Sequence, residues 1–196
     1  MSEFEILKKM LMADRSVRRF DASKPIGRDV LEQLVDLTRY CGSGRNLQPL
    51  KYRLVYDAAE CGKVFPALKW AGYLTDWDGP QESERPVAYM VQCLDLRLTE
   101  NLLCDDGIQL QAITLGACAL GIAGCIIKSF NVAKLRDVLG LEDCYKPLYV
   151  LALGCPAETV EIETMSGGLD ADVKYYRTQD GIHHVPKRPL SELIIR

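Results

Sequence analysis

The sequence lacks Cys-x-x-Cys spacing, and its only two histidines are adjacent, His183-His184. No metal site is therefore expected. It contains no P-loop and no complete Gly-x-Gly-x-x-Gly fingerprint. The nearest segment, Gly121-Ile122-Ala123-Gly124, does not follow a strand, which argues against a Rossmann nicotinamide site. Charge of neither sign dominates: 24 basic against 27 acidic residues give a net charge of -3, with no global basic field to gather nucleic acid or anionic membrane. Residues 1 to 9 mix acids, bases and apolar positions and hold no apolar core of a signal peptide. Several of the eight cysteines, such as Cys93, sit in apolar runs, so free buried thiols and a reducing cytoplasm are the expectation. Repeats, low-complexity tracts and linkers are also missing. With 48% apolar and 26% charged residues, the 196 residues are expected to form one globular domain, 1–196.

Apolar spacing at Phe4, Leu7 and Leu11 predicts an N-terminal helix, and Val30, Leu34, Leu37 and Cys41 predict a second one ending at Gly42 and Gly44. Lys51 to Tyr56 alternates as a half-buried strand does, a short helix follows around Glu60 to Trp70, and Val87 to Leu94 reads as another strand. Gly107 to Ile127 is uncharged and long enough to cross a bilayer, but Gln109, Gln111 and four glycines fit a helix buried in protein better, starting near Asp105. Asn131 is a candidate N-cap for Val132 to Leu139, with Gly140 as the stop, and Pro147 to Leu153 is a buried strand. Beyond Pro156 the chain reads as an extended excursion. The order predicts an α+β fold, a small mixed or antiparallel central sheet wrapped by helices.

Two segments carry candidate chemistry. In Arg15-Ser16-Val17-Arg18-Arg19, guanidinium groups beside a hydroxyl suit a phosphate, although a solvated basic turn has the same composition. A second basic pair, Lys187-Arg188, lies near the other end of the chain. In Gly42-Ser43-Gly44-Arg45-Asn46-Leu47-Gln48-Pro49 the glycines permit close backbone approach, and Asn46 and Gln48 offer donors and acceptors to a heteroaromatic edge; a helix stop followed by a turn is the alternative. Trp70, Tyr73 and Trp77 read as core or interface aromatics, Tyr175-Tyr176 as packing, and His183-His184 as a surface pair.

In order, Arg15-Ser16-Val17-Arg18-Arg19-Phe20, Gly42 to Leu50, Leu120 to Ile127 and Lys187-Arg188-Pro189-Leu190-Ser191-Glu192-Leu193 resemble the motifs of the nitroreductase family of FMN-dependent oxidoreductases over nearly the whole chain. The resemblance implies a dimer with a shared core and FMN at the interface. It implies that Arg15 and Ser16 bind the FMN phosphate, with Lys187 or Arg188 reaching it from the chain's end. Arg18 would sit near the ribityl chain or the pyrimidine, Ser43, Gly44 and Asn46 would act across the dimer, and Gln48 would also bind the cofactor. Ile126, Ile127, Lys128 and Ser129 would line the ring. Asp14, Gly42, Leu50 and Lys128 depart from the family pattern, and Asp14 would set a carboxylate near a phosphate.

The function implied is passage of hydride from NADH or NADPH through flavin N5 to a small electrophile, a nitroaromatic, quinone or enone, by ping-pong exchange. No catalytic side chain is required, because the cofactor carries the chemistry. The alternatives are a flavin protein of the same fold with other redox chemistry, such as oxidation or dehalogenation, and a binding protein without turnover. Neither nucleic acid nor membrane is an expected partner.

Overall fold

The computed structural model describes residues 1–195. Its elements begin with α1 (Glu3–Ala13), where Ser2 and Glu5 cap each other's backbone N–H groups. There follow β1 (Phe20–Asp21), α2 (Arg28–Asp36) with a 3-10 turn to Tyr40, β2 (Leu50–Val55), α3 (Ala58–Val64), β3 (Ala88–Asp95) and α4 (Asp105–Ala119). Then come β4 (Ala123–Ile127), α5 (Val132–Leu139), β5 (Tyr145–Pro156), β6 (Val160–Thr164), β7 (Tyr176–Arg177) and β8 (His183–Lys187). At α5 the Asn131 side chain accepts from Lys134 N–H, and Gly140 ends the helix at φ 58°, where a Cβ would be strained.

The main sheet runs β1-β5-β3-β2, with β4 also paired to β5, and all its pairings are antiparallel. Every residue of β3 is buried, so the alternation of strand side chains sorts its residues between two apolar layers. Tyr89, Val91 and Cys93, with Val150 and Ala152 of β5, pack with Cys61 and Val64 of α3 and Leu135 and Leu139 of α5. Ala88 and Met90, with Leu151 and Leu153, pack on the opposite face with Leu31 and Leu34 of α2 and Leu110 and Ile113 of α4. The same face holds buried Gln92, which donates to Tyr52 Oη (2.9 Å), and Tyr52 in turn donates to Gln109 Oε1 (2.8 Å). The buried glutamine of α4, Gln109, thereby accepts a hydrogen bond within the protein, whereas the Oε1 of Gln92 has no described partner. Among the described residues, no helix is long and apolar enough to cross a membrane.

Three expectations need correction. The C-terminal excursion contains a second sheet, β6-β8-β7, with β6 and β8 parallel. The helix around Glu60 to Trp70 ends earlier, in a 3-10 turn at Phe65–Ala67, because Leu68 leaves helical geometry and pairs with Phe130. The cysteines are all free, but only Cys61, Cys93 and Cys125 are buried.

Close approach fixes one glycine. A Cβ at Gly154 would meet Phe20 Cβ and Cδ1 at 2.8 Å. Gly154→Ala is expected to push Phe20 off its seat and cost about 1–3 kcal/mol. The measurement is the urea midpoint at unchanged slope, and a midpoint equal to that of the parent would show that the site tolerates a methyl group.

Candidate functional site

A strap of chain, Asp14 to Phe20, joins α1 to β1 and lies along β4. Ser16 pairs with Gly124 in parallel, and Val17 N–H donates to Gly124 O at 3.1 Å. Arg15 donates one Nη2 bond to Leu11 O (2.7 Å), while its Nε is buried without a partner. Ser16 is exposed, and no described residue bonds to its hydroxyl. Two successive residues of the strap thus hold donors without a described partner, one of them charged. The Asp14 Oδ2 accepts from Gln111 Nε2 and Thr114 Oγ1, both at 2.7 Å, which ties the carboxylate to α4. Beside Arg15 opens a cavity of about 290 Å³, lined also by Asp14, Val17, Gly121, Ile122 and Glu158.

Arg18 is gripped by the C-terminal sheet. Its Nη1 donates to Ser16 O (3.3 Å) and lies 3.1 Å from His183 Nε2, and its guanidinium carbon stands 4.6 Å from the centre of the Tyr175 ring. The Glu158 carboxylate, 1% exposed, accepts from Arg18 N–H (2.5 Å), Arg19 N–H (3.2 Å) and Arg177 Nη2 (2.8 Å). A carboxylate this buried is tolerable because two amides and a cation compensate its lost hydration. Arg177 stacks on Trp77 at 4.9 Å. The sequence reading missed Glu158, Arg177 and His183, and it placed His183 on the surface. His183 is fully buried, and its neighbour His184 is itself mostly covered, its side chain 12% exposed, bonded to Glu163 at 2.7 Å and stacked on Tyr176. Strand alternation separates the two.

The other site candidates form two further groups. Ser43 donates to Asp105 Oδ2 (2.5 Å) and accepts from Gln48 N–H (2.9 Å), and Gly44 N–H donates to Asp105 Oδ1 (2.9 Å). Buried Asp105 stands in the first turn of α4, where the helix dipole favours a negative charge. The loop bends sharply, with Arg45, Asn46 and Gln48 all at positive φ (53°, 57° and 49°), and Asn46 and Gln48 are exposed. Such backbone strain in non-glycine residues clusters at ligand-binding segments. At the end of β4, Ile126 is exposed and Ile127 buried, Lys128 Nζ lies 5.3 Å from the Tyr149 ring centre, and Ser129 O accepts from Lys69 N–H (2.9 Å). Lys187 is exposed, whereas Arg188 is committed to Gly168 O and Glu192, both at 2.8 Å. Within one chain, no hydrogen bond or ion pair among the described residues joins Ser43–Gln48, Lys187 or Arg188 to Arg15 or Ser16. The described residues also contain no cluster of three potential metal ligands.

The architecture has solved counterparts. A nitroreductase family protein from Clostridium novyi NT aligns with a TM-score of 0.62 at 22% identity, over 80% of this chain and 86% of that one. An FMN-dependent nitroreductase from Clostridium difficile R20291 aligns at 0.61 and 17%, over 76% and 87%. The NADPH:FMN oxidoreductase from Vibrio harveyi, solved with NAD+, aligns at 0.59 and 21%, over 77% and 69%. These likenesses establish the fold as that of the nitroreductases. The model of the nitroreductase family matches residues 11–84 and 97–155, more than half the sequence, and the chain belongs to that family.

Burial, with Arg18 as the nearest cation, pushes the pKa of His183 down from 6.5 to about 4. The folded state therefore holds the ring neutral, while the unfolded chain takes up a proton below pH 6.5, so stability is complete above that pH and is lost as pH falls toward 4. Relative to His183→Gln, which does not titrate, the parent chain is expected to lose on the order of 1–3 kcal/mol across this window. Parallel stability curves from urea titrations between pH 7 and 4 would refute the assignment.

Proposed function

We propose that the chain is an FMN-dependent oxidoreductase, a homodimer that uses NADH or NADPH to reduce a small electrophile such as a nitroaromatic, quinone or enone. The observation that carries this reading is the strap. On one short stretch bonded to β4 it presents the unpartnered Nε of Arg15, the free hydroxyl of Ser16 and an unsatisfied edge of Arg18. These donors fit FMN, since an orphaned guanidinium donor beside a hydroxyl is what a phosphate oxygen would satisfy. FMN, when held there, would supply the redox chemistry between a reduced nicotinamide and the acceptor.

The protein's part is to bind and to set charge. Arg15 and Ser16 hold the phosphate. Lys187, whose ammonium no described carboxylate engages, is freer to join them than Arg188, which Glu192 and Gly168 already occupy. Arg18 and exposed Lys128 set positive charge at the pyrimidine end, where negative charge develops on reduction. Ile126, Ile127 and Ser129 line the ring through their backbone. Asp14 lines the same cavity as Arg15, and its Oδ2 is already taken up by Gln111 and Thr114 of α4.

One feature supports a site completed by a second copy. No residue of α1 is buried, and Phe4 (74% exposed), Leu7 and Leu11 stand open to solvent. Such an apolar helix face suits a partner subunit. Across it, the Ser43, Gly44, Asn46 and Gln48 loop of one subunit reaches the flavin of the other.

The purified protein is expected to show the two visible flavin bands, alone or after FMN is added, and to bleach anaerobically with NADH or NADPH. Arg15→Gln should weaken FMN binding by about 10- to 100-fold, the loss of a charge-assisted hydrogen bond. Sedimentation should give a dimer. A colourless protein that cannot be reconstituted would overturn the reading.

A further inference from the structure

The C-terminal sheet brings to Arg18 two groups that have no part in holding the phosphate. His183 is fully buried, with Nε2 3.1 Å from Arg18 Nη1. A guanidinium can only donate, so Nε2 accepts and the ring carries its proton on Nδ1. Glu158 fixes the backbone by taking the Arg18 and Arg19 N–H groups, and Arg177 balances its charge. Tyr175 covers one guanidinium face. Arg18 is thus held at its backbone, at Nη1 and over one face, while no described residue bonds to its Nε or Nη2. An arginine on an open turn would lose side-chain freedom on engaging a ligand. Here folding has already imposed much of that order, and a planar pair of parallel donors remains without a described partner.

We propose that His183 and Glu158 are positioning residues that aim the Nε–Nη2 edge of Arg18 at two adjacent acceptors, the N1 and O2 edge of the flavin pyrimidine. The proposal rests on the FMN reading above. It differs from it in assigning the orientation of the cation to a part of the chain distant from the strap. A guanidinium fixed before reduction stabilises the charge that the ring gains without reorganising at that moment.

The test compares the full-length parent with His183→Leu, which removes the acceptor, and His183→Gln, which can restore one. FMN affinity is read by fluorescence titration and the flavin reduction potential by equilibration with a redox dye. His183→Leu is expected to bind FMN about tenfold more weakly and to shift the potential to more negative values, and His183→Gln is expected to recover most of both. Support of the fold alone would lower the urea midpoint and leave the potential of the bound flavin unmoved, so a His183→Leu protein with parental affinity and potential overturns the proposal. If that variant does not fold, Arg18→Lys is read instead. It keeps the charge but lacks the planar edge, and unchanged affinity and potential would have the same force. The parent is titrated first: failure of the parent to bind FMN sinks the flavin reading itself, whereas binding by the parent with no change in the variants sinks only the positioning role.

Discussion

The hydrogen bonding of β5 to three other strands is the constraint on which the rest depends. Its residues pair with β3 from Tyr145 to Leu153, with β4 from Val150 to Gly154, and with β1 at Cys155 and Pro156. The strap that carries Arg15, Ser16 and Arg18 is pinned between these pairings, at Gly124 on one side and Phe20 on the other. Two residues past the end of β5 stands Glu158, delivered by the strand's own direction to the Arg18 and Arg19 amides. Register in the core therefore sets the geometry of the binding strap. A slip of one residue would turn Leu151 and Leu153 to the wrong layer and carry Glu158 out of reach.

The cluster at Glu158 shows why a buried charge can be costly and still be specific. Its carboxylate, two amides and Arg177 are mutually required, since removing any one leaves another polar group buried and unmet. A buried ion pair of this kind is weak evidence for stability, but it admits few alternative arrangements. That specificity is what a strap joining a helix to a two-residue strand needs, because its own backbone pairing is sparse.

Helices and central strands were legible in the sequence because one period of apolar residues suffices to mark them. Caps sharpened this at Asn131 and Gly140, where expected and observed bounds coincide. The strap was legible as a dense run of arginines about one serine. The C-terminal sheet was not, although Val160-Glu161-Ile162-Glu163 alternates. Pro186 lies within β8, where proline argues against a strand, and β7 has only two residues. The partners of Arg18 were illegible for a different reason: Glu158 and His183 lie 140 and 165 residues away, joined through register in two sheets and not through any local spacing. Asp14 was visible as a departure, but its direction was not, because that depends on Thr114 and Gln111 of a helix a hundred residues later.

That helix also bears on why one chain does not assemble the whole site. Asp105 at the start of α4 anchors the loop of Ser43 and Gly44, and Thr114 anchors the strap through Asp14. Nine residues at 1.5 Å each set the two anchors about 14 Å apart along the axis. In the proposed dimer, a two-fold axis that sets α4 antiparallel to its counterpart would carry the Asp105 end of one helix toward the Thr114 end of the other, twice by symmetry. The loop of one subunit would then approach the strap of the other without either anchor being broken. On this geometry the uncharged stretch of α4 has a purpose beyond burial. Exposed Ile108 and part-exposed Ala112 leave this face apolar toward a second helix, and the only charges of α4, Asp105 and Asp106, stay in its first turn.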